Sequence, residues 1–123
     1  MMTITLPWPP RILSPNARPA HWAVLARAKR LYRTACATQA RMQGAVALSA
    51  HLSLAVHLCF IPPDRRRRDI DNLIASAKAG LDGLADVLQV DDSRWMLTAE
   101  LPEAGGEIGG FLRVEVSRRE GMP

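Results

Sequence analysis

Between Leu52 and Phe60 the sequence alternates without a break: Leu52, Leu54, Val56, Leu58 and Phe60 are large and apolar, with Ser53, Ala55, His57 and Cys59 between them. A period of two places each set on its own face of an extended chain, so the segment is predicted to be a strand with one buried side. Pro62 and Pro63 end it, because neither has an N–H to continue a ladder. His57 falls opposite the leucine face and takes no role; His21 and His51 likewise have no partner at metal-site spacing.

The pattern changes on both sides of this strand. Thr3 to Leu6 alternates like a short edge strand that stops at Pro7, Pro9 and Pro10, and Arg11 to Pro19 is turn-rich and expected to be a loop. From His21 to Met42, Trp22, Leu25, Ala28, Tyr32, Ala35 and Cys36 recur at helical spacing, predicting one amphipathic helix. Arg27, Arg30 and Arg33 form a basic stripe away from its apolar side, suited either to solvent or to DNA. A second helix is expected from about Leu73, capped by Asp71 or Asn72, with Leu73, Ile74, Ala77, Leu81, Leu84 and Leu88 as its buried stripe. Gly80 and Gly83 weaken that helix, and a strand or turn at Val87 to Val90 would deliver Asp91 and Asp92 into a loop. Trp95 to Leu101 and Phe111 to Val116 alternate like two strands and read as a hairpin closed by the glycine-containing turn EAGGEIGG, followed by a frayed tail, SRREGMP.

The 123 residues suit one domain with a modest core. No apolar run approaches the roughly 20 residues of a membrane span, which predicts no membrane association. The opening MMTITLPWPP lacks the layout of a signal peptide, and Cys36 and Cys59 have no metal-like spacing, so buried free thiols in a reducing cytoplasm are expected. Walker, Rossmann, nucleophile-elbow and CxxC patterns are missing from the sequence.

Charge is segregated along the chain. Residues 1–68 hold eleven Arg or Lys against the single acid Asp64, a net of +10, while residues 69–123 hold five against eleven acids, a net of −6. The break falls at Asp69, inside RRRRDIDN: Arg65, Arg66, Arg67 and Arg68 run directly into Asp69, Asp71 and Asn72. Arginines can hold phosphates while clustered carboxylates hold a divalent metal, the pairing that a metal-dependent enzyme acting on a polyanion needs. Asp69 and Asp71 are two apart, so they point the same way only in extended chain. With Asp91 and Asp92 they make an oxygen donor set suited to Mg²⁺. Lys78 is two helical turns beyond Asp71 on the same face, placed to meet a phosphate or to serve as an ordinary surface lysine. These residues suit a metal-dependent nuclease, and equally a basic domain without catalysis.

On these residues the chain resembles the RusA family of Holliday junction resolvases, small endodeoxyribonucleases of bacteria and prophages. The segments that carry the likeness are ITLPWPP, SPNARPAHW, PDRRRRDIDNL and VDDSRW, spread over nearly the whole chain. The resemblance implies an α+β fold, one small domain with a mixed sheet and two main helices. It also implies a homodimer that cuts paired strands of four-way junctions in recombination and repair, with Mg²⁺ or Mn²⁺. Carried over by motif, Asp69, Asp71 and Asp92 become the catalytic metal-binding carboxylates, with Asp92 favoured over Asp91, and the arginines hold DNA. The family pattern has a lysine four residues after the second aspartate, where this chain has Ala75; Lys78, one turn further on, is the candidate substitute. Two other readings stay open: a structure-selective DNA-binding protein without activity, and a metal nuclease for other branched DNA.

Overall fold

The alternating segment forms strand β2, Leu54–Ile61, and its apolar set of Leu54, Val56, Leu58 and Phe60 is buried. A computed structural model describes residues 2–103 and 106–119. Within them β2 is an interior strand of a four-stranded sheet of order β1-β4-β2-β3, where β1 is Met2–Pro7, β3 is Trp95–Glu100 and β4 is Phe111–Arg118. Two helices, α1 (Trp22–Met42) and α2 (Ile70–Leu88), share one core with the sheet, giving the expected single α+β domain with a mixed sheet.

The expected hairpin does not form. β3 runs parallel to β2, with Leu54 opposite Trp95 and Cys59 opposite Glu100, while β4 lies antiparallel on the other side of β2 and in turn pairs antiparallel with β1. The cause is α2, which carries the chain back along β2 so that the next strand enters in the same direction. The glycine segment then crosses the end of β2 instead of turning back. Gly109 N–H donates to the Pro62 carbonyl at 2.8 Å and Gly110 N–H, at φ +80°, to that of Ile61 at 3.0 Å. Ala104 and Gly105 of that segment, and the end of the tail from Glu120, lie outside the described residues; Ser117 and Arg118 continue β4.

β1 takes the expected edge position, and its free edge is capped at Thr5. The Gln43 side chain accepts from Thr5 N–H and donates to the Thr5 carbonyl, both at 2.7 Å, satisfying backbone groups that would otherwise template another strand.

α1 has the predicted limits, with His21 as its N-cap accepting from Ala23 N–H at 3.2 Å. Its buried side differs from expectation: Tyr32, Cys36, Ala37 and Ala40 are buried, whereas Ala35 is exposed and Trp22 is 75% exposed. No side chain of α1 before Tyr32 is buried, because the close contacts with α2 and β1 begin at that turn. The loop expected from Arg11 to Pro19 contains a 3₁₀ turn, Arg11–Leu13.

α2 starts earlier than expected. Asp69 is its N-cap, accepting from Asp71 N–H at 3.0 Å, and Leu73 N–H reaches the Asp69 carbonyl at 3.1 Å. Ile70, three residues before Leu73, extends the apolar stripe by one turn, and this recruits the segment into helix. The helix continues through Gly80 and Gly83 to Leu88, where Gln89 closes it in the left-handed conformation, so no strand forms at Val87 to Val90. Both glycines serve close packing. A Cβ on Gly80 would lie 2.6 Å from the Tyr32 ring, and one on Gly83 would fall on the Arg33 carbonyl oxygen. Ser76, Ala77 and Gly80 therefore belong to the interior of this one chain.

Candidate active site

Two chain segments that are far apart in sequence face each other across a cleft of about 950 Å³. One wall follows β1 and its 3₁₀ turn and carries Trp8, Arg11, Ser14 and Asn16; the other is the arginine run and the start of α2, with Arg66, Arg67, Asp69 and Asn72. Tyr32 anchors the first wall, because its hydroxyl donates to the Pro7 carbonyl at 2.7 Å, directly before Trp8. Burial raises the Tyr32 pKa far above its ordinary value, so that donor stays protonated.

The four arginines are not equivalent. Arg68 is drawn inward, its side chain 18% exposed. It donates to the Asp64 carbonyl and carboxylate at 3.0 and 2.9 Å and to the Arg66 carbonyl at 3.0 Å, and its guanidinium lies 5.5 Å over the Trp8 ring. Arg66 also pairs with Asp64, through its N–H at 3.0 Å and its Nε at 3.2 Å. The Arg66 N–H first and the Arg68 side chain second hold the Asp64 carboxyl at a pKa of about 2, so this acid keeps its charge and folds the run into a loop. Arg65 and Arg67 are exposed and make no ion pair among the described residues. On α1, Arg27 and Arg30 are exposed, while Arg33 is taken up by a two-pronged contact with Asp86 of α2 at 2.7 Å for each bond; Arg33 lowers the Asp86 pKa.

The carboxylates are also divided in their surroundings. Asp69, in extended backbone, lines the cleft; Asp71, in the first turn of α2, is exposed and is not part of the cleft lining. The expectation that both sit in extended chain is therefore corrected: they flank a helix start and are linked by the cap. Asp71, Ala75, Lys78 and Asp82 follow at helical spacing along one side of α2, which places Lys78 about 10 Å along the axis from Asp71. Lys78 Nζ donates at 2.7 Å to both Asp82 and Asp92, and these two acids, Asp82 first, raise its pKa. Asp92 opens a 3₁₀ turn, Asp92–Arg94, whose N-cap is Asp91. Ser93 lowers the Asp91 pKa through its hydroxyl first and its N–H second. Asp92 is thus the member of the pair that meets α2, and Asp91 is occupied as a cap. Among the described residues no three His, Cys, Asp or Glu side chains gather closely enough to hold one metal ion.

Trp8, Arg11, Ser14 and Asn16 were not legible as site residues by spacing, because they approach the arginine run only through the tertiary fold. The available signal was an asparagine, a serine and two basic residues, Arg11 and Arg18, in a proline-punctuated segment too polar for a core. Among the described residues no helix is long and apolar enough to cross a membrane.

No protein-family model matches the chain. It is similar to an uncharacterized protein of Xylella fastidiosa (strain Temecula1), 40% identical over 98 residues. That match takes in 78% of this chain and 63% of the relative, so the chain spans less than two thirds of the relative's length.

Proposed function

We propose that this protein is a Mg²⁺-dependent endodeoxyribonuclease that resolves four-way DNA junctions by paired phosphodiester cleavage, acting as a homodimer in the cytoplasm. The observation that carries this reading is the placing of Asp69 in a cleft also lined by Arg11, Arg66 and Arg67, where a phosphate held by these arginines would lie beside a carboxylate. The motif likeness to the RusA resolvases supplies the reaction and the junction as substrate.

The donor set is all oxygen and hard, as Mg²⁺ or Mn²⁺ requires, and Asp69 and Asp71 are open to solvent. Asp69, Asp71 and Asp92 are not gathered among the described residues, so they would hold the ion only if Asp92 leaves Lys78 and closes on the other two. When bound, it supplies Lewis-acid activation of the attacking water and neutralises charge at the scissile phosphate. The protein's own groups position the DNA: the exposed arginines fix backbone phosphates, and Lys78 keeps a positive charge beside Asp92. Two-fold symmetry would set two such sites at a fixed separation, which two matched cuts demand.

A second reading, a structure-selective DNA-binding protein without catalysis, is favoured by one observation: Asp92 is engaged by Lys78 and does not join Asp69 and Asp71 as a preformed triad. Synthetic four-way junction, flap and linear duplex, each incubated with Mg²⁺ and with chelator, separate the readings. Symmetric nicks in the junction with Mg²⁺ alone are expected. Tight junction binding with no nicks would establish the second reading, and nicks in the flap alone would move the protein to another class of branched DNA.

A further inference from the structure

A track for phosphates needs cations on an open surface, yet this cleft also has a flat, stiff apolar interior. Trp8 packs edge-on against Phe60, with ring centroids 6.1 Å apart and planes at 84°, so its orientation is fixed from below. Arg68 is held over the same ring by acceptors on Asp64 and Arg66, which leaves its guanidinium a rigid plane in place of a mobile charge. Pro9, Pro10 and Pro63 complete the apolar lining. Neutral hydrogen-bonding groups sit at the same cleft: the side-chain amides of Asn16 and Asn72 make no hydrogen bond among the described residues, and Asn16 is exposed.

Those three ingredients match the chemistry of a nucleobase more closely than that of a phosphate alone. An aromatic or guanidinium plane stacks on a base face, and a side-chain amide, with both donor and acceptor, reads a base edge. About 950 Å³ lies in the range of about 300–1,000 Å³ that accommodates a small ligand, so there is room for a nucleotide and its sugar. Within a duplex both base faces are covered, so a base can stack on a plane in the cleft only after it has left the stack. In the open form of a four-way junction, where the arms are not stacked on one another, bases at the branch point have already lost a stacking neighbour.

We propose that the cleft is a nucleotide pocket that receives one unstacked base from the branched DNA, with the Arg68 guanidinium, seated on Trp8, as its stacking surface and Asn16 as the residue that selects the base. This rests on the reading of the substrate as branched DNA, but not on cleavage. Arg68 is then a positioning residue of the pocket, and the exposed Arg67 meets phosphate.

The test uses the whole chain with chelator present and cleavage not measured. 5-Iodouracil is placed singly at each position around the crossover of a synthetic junction, irradiated, and crosslinks are mapped by mass spectrometry. One position is expected to crosslink to Trp8, and the same strand annealed as unbroken duplex is expected to give none; crosslinks of equal yield in duplex, or none to Trp8, overturn the proposal. At the reactive position the four natural bases are then compared by binding. The protein is expected to discriminate by about fivefold or more, as one amide-to-base pair allows, and Asn16→Ala to reduce this to within about twofold. Because Asn16 is exposed, that variant is expected to fold, and an unchanged preference overturns Asn16 as selector. Crosslinks to Trp8 in a protein that never cuts with Mg²⁺ leave the pocket standing and remove the nuclease; cutting without crosslinks does the reverse.

Discussion

Asp69→Asn is expected to lower Mg²⁺-dependent cleavage of a four-way junction by more than about 100-fold, since loss of an outer-shell partner alone costs roughly 10- to 100-fold at metal sites. The amide keeps the shape of the carboxylate and can still cap α2 by accepting from Asp71 N–H, so the fold is expected to survive. Junction binding is expected to be equal or tighter, because a negative charge leaves a cleft lined by Arg11, Arg66 and Arg67. Asp71→Asn is expected to behave alike, although Asp71 lies outside the cleft lining. Cleavage and binding measured on the same preparations check this; a variant that cuts as well as the parent would remove Asp69 from the reaction.

The largest expected effect on stability is that of Gly83→Ala. In an exposed helix the exchange would gain about 1 kcal/mol, because alanine loses less backbone entropy. Here the new Cβ would fall on the Arg33 carbonyl oxygen and lie 3.2 Å from Ala37 N, both of them backbone atoms of α1 that cannot rotate away. The helices must separate, at a cost of about 1–3 kcal/mol or more for overpacking. A net loss of about 2 kcal/mol would lower Tm by roughly 8 °C in a chain of this size. Gly80→Ala meets side chains, Tyr32 and Cys36, which can shift. Its loss in Tm is expected to be smaller, but moving Tyr32 strains the hydrogen bond to Pro7 that anchors the cleft wall. Thermal melts of the two variants provide the check, and a Gly83→Ala protein more stable than its parent would contradict the packing described.

How far the sequence disclosed this arrangement depends on the range over which each feature is decided. The strand around Val56 and the helix from Trp22 to Met42 were legible because local periodicity decides them. The start of α2 was misplaced by three residues, since Asp69 was read only as a ligand and its capping role passed to its neighbours. Pairing in the sheet was hidden for a different reason: β3 and β4 are consecutive in the chain, and only the length and direction of α2 determine that β2 stands between them. The arginine run was visible as charge, but not its division of labour. That division is set by Asp64, which binds Arg68 and Arg66 and leaves Arg65 and Arg67 exposed. Lys78 was expected on the face of Asp71 and lies there by spacing, but its link to Asp92 arises from the return of the chain after α2. The opposite wall of the cleft was visible only as the motif segments ITLPWPP and SPNARPAHW and not as a wall, since nothing in a proline-rich loop specifies where it folds back.

Binding of one divalent ion at the edge of the arginine-lined cleft is proposed to draw Asp92 off Lys78 toward Asp69 and Asp71, which it does not meet in the free protein. It is tested most directly by titrating Mn²⁺ into isotope-labelled protein and following paramagnetic broadening of the backbone amides, with no DNA and no activity measured. The expected result is broadening centred on residues 69–72 and reaching Asp92, competed away by Mg²⁺ and lost in Asp69→Asn. Broadening centred elsewhere, or none at millimolar Mn²⁺, would contradict it.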